Sequence, residues 1–533
     1  FYLFLMFQTI KSQNNMMVSP HWMATQAGSE IMKSGGNAVE AMICSAAVIS
    51  VVYPHMNSLG GDNFWLVNTF DQKLIGIEAT GFSSEKATID FYNSIGLKQI
   101  PSRGDFAAIT VPGVVSGWMK AYEYSLQKLN GKKSLAEILD PAMQIANSGF
   151  PVTSTLEKNL KSKKTELINL KEFANKYYSN ELIEGSVIKF PEMAETFKLL
   201  VKNGFDDFYK GETFKKIFSD LKKTNCILTE NDFKNFNSRF VEPIQLSLDD
   251  CKVYNLPPPT QGVASLLILG ILDKLKYKCE SEFNFIHSIV EATKKAFILR
   301  DKHITDPDYM KLNINDLIND DLFSKLANEI NFEKALEWPI TSQKGDTVWL
   351  GSSDQFGNSV SFIQSIFWEF GSGIYLPETG ITLQNRGASF SLNSESHNAL
   401  CPRRRPFHTI QPALAKFNDG RCLLYGTMGG DGQPQTQATI FLRYNELKQN
   451  LQDAINNPRW LLGKTWGDDV HNLRLEKRFD DKIIKRLIDA GHQIQLVDDF
   501  DEIMGHAGAI IIDEYGNKEA GFDLRSDGMA LGN

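Results

Sequence analysis

An α+β layered fold is predicted for this chain by three features of its order. Helical patterns and short strands mix through the first half. The last third turns to strands set around two helices, and nowhere do strands and helices alternate as regular βαβ units. The 533 residues are 42% apolar and 23% charged, which supplies a sizeable core. A net charge of -8, with no basic run interleaved with aromatics, argues against a nucleic-acid partner.

The opening stretch FYLFLMFQTI is apolar but too short to span a membrane. It carries neither the basic start nor the small-residue cleavage site of a signal peptide. Helical patterning begins after Met16 and Met17, so residues 1–16 are read as an extension outside the fold. The location read is the cytoplasm, or the periplasm or exterior if that stretch is a truncated signal peptide. From Ala24 to Val52 two helices are split by Gly35-Gly36, the second so uniformly small and apolar that it reads as buried on most sides. Strands are predicted at Phe64–Phe70 and Lys73–Thr80. The segment from Thr153 to Phe240 reads as mostly helical. A Pro-rich loop, NLPPPTQG, precedes an apolar helix, and a further amphipathic helix covers Glu291–His303.

After residue 346 the pattern changes. Thr347–Ser353 and Asn358–Ser365 flank the turn DQFG, a hairpin signal in which Val360, Phe362 and Gln364 share one face and Ser361, Ile363 and Ser365 the other. Strands follow in GITLQN, CLLYGTM and AGAIIIDEYGNKEAGFD, with helices in TQATIFLRYNELKQN and DDKIIKRLIDAG. The six cysteines (44, 226, 251, 279, 401 and 422) form no CxxC pair and read as buried thiols, with one disulfide left open.

Thr347, directly after Gly345-Asp346, is either the first residue of a strand or a new N-terminus. An N-terminal threonine carries its own base, because its α-amine titrates at roughly 7.7–8.0 and can take the hydroxyl proton. That chemistry requires the Asp346–Thr347 bond to be broken first, by hydroxyl attack on the Asp346 carbonyl with Gly345 allowing the bend.

The surrounding motifs favour the second reading. GGNAVEA, PHMNSLGGDNFW, VPGVVSGW, LPPPTQG, GDTVWLGSSDQFGNSVSF, FGSGIYLPETGITLQN, MGGDGQPQ and DLRSDGMA occur in this order along nearly the whole chain. Together they resemble the gamma-glutamyltransferase family of N-terminal nucleophile hydrolases. The resemblance implies a four-layer αββα sandwich cut before Thr347 into a large chain, 17–346, and a small chain, 347–533, that form one globular unit. It makes Thr347 nucleophile and general base, and gives the oxyanion hole to the N–H groups of Gly429 and Gly430. Ser365 falls where the family has a second threonine beside the nucleophile's amine. Neither a metal nor an organic cofactor is implied.

Departures from the family pattern concern the substrate. The arginine that holds the glutamyl carboxylate falls on Phe82 or Thr80, and neither pairs with an anion. Positions that bind the ammonium group become Arg386 and Ser389, and the usual serine pair becomes His408 and Thr409. His408 reads as a satisfied structural histidine before a catalytic one, and Arg386, Ser389, His408 and Thr409 are the candidate substrate-binding residues. The run Arg403–Arg405 reads as a solvated loop, or with Arg386 as an anion site. These changes match a branch of the family sharing LQNRG, RPFHTI and MGGD. The sequence reading is therefore an autoprocessing amidohydrolase acting on a small-molecule amide, with gamma-glutamyl compounds such as glutathione as the family default. The alternatives are an N-acyl amidohydrolase, or an uncleaved homologue that only binds.

Overall fold

The computed structural model describes residues 8–276, 278–338, 346–463 and 472–533, with residue 346 described by its backbone. Two seven-stranded sheets lie face to face, each covered on its outer side by helices. The first runs in space Ile10–Ser12, Lys518–Phe522, Ala507–Ile512, Cys422–Thr427, Ala413–Phe417, Cys251–Asn255 and Ile244–Ser247. The second runs Met529–Gly532, Met16–Ser19, Asp346–Ser353, Ser359–Phe367, Asp62–Asn68, Leu74–Ala79 and Arg239–Val241. Every ladder in the two sheets is antiparallel. This is the αββα sandwich.

Helices Ala38–Val52 and Val114–Lys128 pack on the second sheet, while Gly262–Asp273, Gly432–Asn445 and Leu451–Asn456 pack on the first. The uniform apolarity of Ala38–Val52 is matched by burial of all its residues. Its N-terminus is closed by a capping box between Asn37 and Glu40. Asp354, in the hairpin turn, accepts a further bond from the Ala38 N–H at 2.8 Å. The helix and the strand carrying Thr347 are thus tied together at one end.

The hairpin forms as its alternation predicts, pairing Asp346–Ser353 with Ser359–Phe367. Val360 and Phe362 enter the helix-side core, Phe362 against Trp65. Gln364 donates to Ser50 Oγ and Asn57 Oδ1, both at 2.9 Å. On the opposite face Ile363 enters the core between the sheets, and Ser361 accepts from Trp349 Nε1 at 3.0 Å.

Several expectations are corrected. The extension ends before residue 10, because Ile10–Ser12 pairs with Lys518–Ala520 and Met16–Ser19 with both Gly351–Ser353 and Met529–Gly532. Residues 1–7 and Gly345 lie outside the described residues. The helix expected at Glu291 starts at Glu282, where Ser281 caps it. GITLQN is strand only at Ile381–Thr382. The six cysteines are free thiols as read, but only Cys44, Cys251 and Cys422 are buried. Among the described residues no helix is long and apolar enough to cross a membrane.

Trp349 sets the spacing between the sheets because glycines face it. A Cβ at Gly426 would lie 2.1 Å from Trp349 Cδ1, and one at Gly508 would lie 2.5 Å from its Cζ3. Gly426→Ala should therefore destabilise the protein by about 1–3 kcal/mol, the usual cost of overpacking. The check is a urea unfolding curve, which should show a lower midpoint with an unchanged slope. A wild-type midpoint would mean that the sheets accommodate the methyl by moving apart.

Candidate active site

Thr347 is the second residue of its strand and is fully buried. The ladder is irregular there. Asp346 pairs with Phe367 and Val348 with Gln364, so Ser365 and Ile366 together stand opposite Thr347. A bulge of this kind bends a strand and re-aims its side chains. Phe367 completes the distortion with φ +81°, a left-handed conformation that costs a bulky residue on the order of 1–3 kcal/mol. Its N–H donates to Ser365 Oγ at 2.8 Å. On its other edge Ser365 pairs with Asp62.

The Thr347 hydroxyl accepts from Gln433 Nε2 at 3.3 Å. Gln433 is the second residue of helix Gly432–Asn445, and the loop entering that helix contains Gly429 and Gly430 at φ +115° and +49°. Both angles are readily open only to glycine. Among the described residues neither glycine N–H donates to a protein acceptor, while the carbonyls of both accept bonds within the loop. The fold therefore gathers Thr347, Ser365 and the Gly429–Gly430 loop at one place.

Beside them lies a cluster of buried polar groups. Arg386 is fully buried, its guanidinium 4.0 Å above the Phe367 ring, and one nitrogen donates to Thr409 Oγ1 at 3.1 Å. Among the described residues its Nε and second terminal nitrogen have no partner. Burial pulls the Arg386 pKa down to about 9, against the pull of Asp62, and leaves it cationic at neutral pH. Asp62 accepts from the N–H groups of Gly81 (3.0 Å) and Gly113 (3.2 Å) through one oxygen, while the other has no hydrogen bond. Burial raises the Asp62 pKa to about 7, although the two N–H groups, Arg386 and the nearby Gln384 amide oppose the shift.

His408 is not the satisfied structural histidine expected. It is fully buried, among the described residues neither ring nitrogen has a hydrogen-bond partner, and Nε2 stands 3.2 Å from the second Asp62 oxygen without hydrogen-bond alignment. Burial, then Arg386, holds its pKa well below the usual histidine range, so the ring is neutral. Ser389 Oγ, Thr80 Oγ1, Thr110 Oγ1 and Gln384 Oε1 are also buried without partners. Buried polar atoms are nearly always paired, so the unpaired ones gathered beside Thr347 make this region the candidate site.

Phe82 instead packs edge-on against Phe236, 5.7 Å between centroids. The run Arg403–Arg405 does not join Arg386. Arg403 pairs with Glu85 and Arg405 with Asp306 and Asp308, while Arg404 donates to Thr305 and stacks on Tyr309. A separate buried trio, His287, Glu291 and His492, is closed on itself. The two imidazoles bond at 2.9 Å, and Glu291 takes Lys294 and the Leu336 N–H.

Sequence reasoning missed Asp62, Gln261, Gln384 and Gln433. Each lies inside a motif already singled out, SLGGDN, PPPTQG, GITLQN and MGGDGQPQ, but a neutral amide or a lone acid carries no spacing signal of its own.

Comparison with known proteins agrees with this geometry. The family model for gamma-glutamyltranspeptidase matches residues 24–533. The oxamate amidohydrolase proenzyme of Klebsiella pneumoniae is 43% identical, over 98% of this chain and 99% of its own. The glutathione hydrolase-like YwrD proenzyme of Bacillus subtilis is 38% identical, again over 98% of this chain and 99% of its own. The crystal structure of cephalosporin acylase from Bacillus halodurans superposes with a TM-score of 0.90 at 31% identity, covering 99% of this chain and 97% of that one. The chain thus belongs to the gamma-glutamyltranspeptidase family and is an autoprocessing amidohydrolase of the N-terminal nucleophile type.

Proposed function

We propose that the chain cuts itself between Asp346 and Thr347 and then hydrolyses a small amide whose carboxylate is held by Arg386, with oxamate as the substrate that fits best. In the precursor the Thr347 hydroxyl attacks the Asp346 carbonyl and the peptide C–N bond breaks. Water then hydrolyses the resulting ester, which frees the Asp346 carboxylate and the Thr347 amine. In the mature enzyme that amine takes the Oγ proton while Oγ attacks the substrate carbonyl. The Gly429 and Gly430 N–H groups receive the oxyanion, each such donor contributing about 3–4 kcal/mol to the transition state. Ser365 supplies the hydroxyl beside the amine. The proton passes to the leaving nitrogen, ammonia departs, and water resolves the acyl ester to oxalate and free Thr347.

The observation that carries this reading is Arg386. It offers two unpartnered donors in a fixed fork, the geometry that pairs with a carboxylate. It stacks on Phe367, the ladder partner of Asp346, one residue from the nucleophile. Oxamate bears its carboxylate directly on the scissile carbonyl and so suits a cation placed that near. Thr409 orients the guanidinium, and the buried Ser389 closes the same short turn as Arg386. The 43%-identical relative named for oxamate supports the choice. A gamma-glutamyl compound is the second reading, favoured by the open Asp62 oxygen, which could receive an ammonium group, and by the name of the Bacillus subtilis relative.

On a denaturing gel and by intact mass, wild type should resolve into two pieces, the smaller starting at Thr347, while Thr347→Ala stays whole and inactive. Cleavage elsewhere, or an active Thr347→Ala, would remove the mechanism. Arg386→Met should raise KM for oxamate roughly 10–100-fold, the worth of charge-assisted hydrogen bonds. An unchanged KM, with glutathione hydrolysed instead, would favour the second reading.

The pH dependence follows from Asp62. Ionisation near pH 7 places a negative charge beside the carboxylate site, so KM for oxamate should climb as pH rises through about 7. Asp62→Asn should flatten that rise, and an identical profile in the variant would refute the assignment. The sign for stability is the same. The folded pKa lies above the unfolded value of roughly 3.9, so this group's contribution is full below that pH and lost as pH rises towards 7.

A further inference from the structure

From the geometry around Gly430 and Thr409 we infer that Gln261 is a positioning residue for catalysis. Its amide nitrogen fixes the oxyanion-hole loop at a set separation from the loop that orients Arg386. The inference rests on the functional reading above and goes beyond it by naming the link between the two halves of the site.

Gln261 is fully buried. Its Nε2 donates to the Gly430 carbonyl at 2.8 Å and also to the Thr409 carbonyl. One nitrogen therefore spends both its hydrogens on two loops that are 21 residues apart in sequence. Gly430 belongs to the loop with the open N–H groups, and the Thr409 hydroxyl receives Arg386 at 3.1 Å. Backbone bonds reinforce the link, since the Gln261 N–H donates to the His408 carbonyl at 2.9 Å and the His408 N–H to that of Pro259 at 2.8 Å.

The orientation of the amide is decided by chemistry. Gln261 Oε1 accepts from an Arg300 terminal nitrogen at 2.8 Å, and arginine can only donate. The oxygen must face Arg300, which turns the NH₂ group towards the two carbonyls. Arg300 is itself held, because the same nitrogen donates to Asp431 Oδ1 at 2.7 Å and its Nε to Asp301 at 2.7 Å. It is fully buried and stacks on Phe297 at 3.8 Å. Asp431 follows Gly430 directly, so the chain Asp431–Arg300–Gln261–Gly430 closes a ring around the oxyanion loop. Displacement of a positioned group by about 1 Å can cost 10²-fold in rate.

The test is Gln261→Glu. Glutamate keeps the length and pairs with Arg300, but aims an oxygen at both carbonyls, turning two attractions into repulsions. Self-cleaved wild type and variant are compared on oxamate. We expect kcat lower by about 10²-fold and KM raised several-fold, with a lower thermal midpoint but a single cooperative transition retained. Arg386→Met, by contrast, should move KM far more than kcat. Wild-type kcat and KM in a folded, cleaved Gln261→Glu would overturn the inference while leaving the functional reading intact. If wild type ignores oxamate but hydrolyses a gamma-glutamyl anilide, the substrate reading fails and the same kcat and KM comparison is made on the anilide. Should Gln261→Glu not fold, Gln261→Met decides by the same two constants. Failure of both to fold would overturn the inference in favour of a purely structural residue.

Discussion

The pairing of Asp346–Ser353 with Ser359–Phe367 is the contact on which the rest of the site depends. Both strands lie in the interior of the second sheet, buried on the helix side and on the sheet side, so their register is strongly specified. Burial on two faces leaves the hairpin one place to depart from regularity, its open end. There the ladder slips at Thr347, and two residues face one. The slip brings Ser365 opposite the threonine and puts Phe367 into a left-handed conformation under Arg386.

Around that end the protein tolerates an electrostatic arrangement that folding alone would not select. A cation with two donors unpartnered among the described residues, a carboxyl raised to about 7 and a neutral histidine share one buried region. Each unsatisfied group costs stability on the order of 1–3 kcal/mol. The cation–π contact with Phe367 and the single bond to Thr409 offset only part of that cost for Arg386. Such a balance makes sense where a ligand completes it. Elsewhere arginines meet acids, carbonyls and rings, as Arg403, Arg404 and Arg405 do, although Arg404 Nε is also buried without a partner among the described residues.

Much of the fold was legible in the sequence because its signals are local. Gly35-Gly36 splits two helices, the apolar uniformity of Ala38–Val52 announces burial, and period-two alternation assigns both faces of the Ser359–Phe367 strand. The first strand, Ile10–Ser12, was not legible. Three residues carry no periodicity, and they form a strand only because Lys518–Ala520, some five hundred residues away, offers an edge. In the site, the motif order pointed to Thr347, Gly429-Gly430 and Arg386. Gln261, Gln433 and Asp62 were passed over because an amide or a single acid gains meaning only from what it touches.

By itself the sequence determined the layered class, the hairpin and its faces, the threonine that starts it, and the family to which the motifs belong. Those properties follow from residue type and near-neighbour spacing, which persist whatever the chain does elsewhere. Only the tertiary structure decided that Arg386 stands without an acid bonded to it among the described residues, that Asp62 and His408 lie beside it, and that one glutamine nitrogen joins Gly430 to Thr409. Desolvation and hydrogen-bond pairing depend on which distant segments meet, and that is set by the packing of two sheets and two helical layers as a whole.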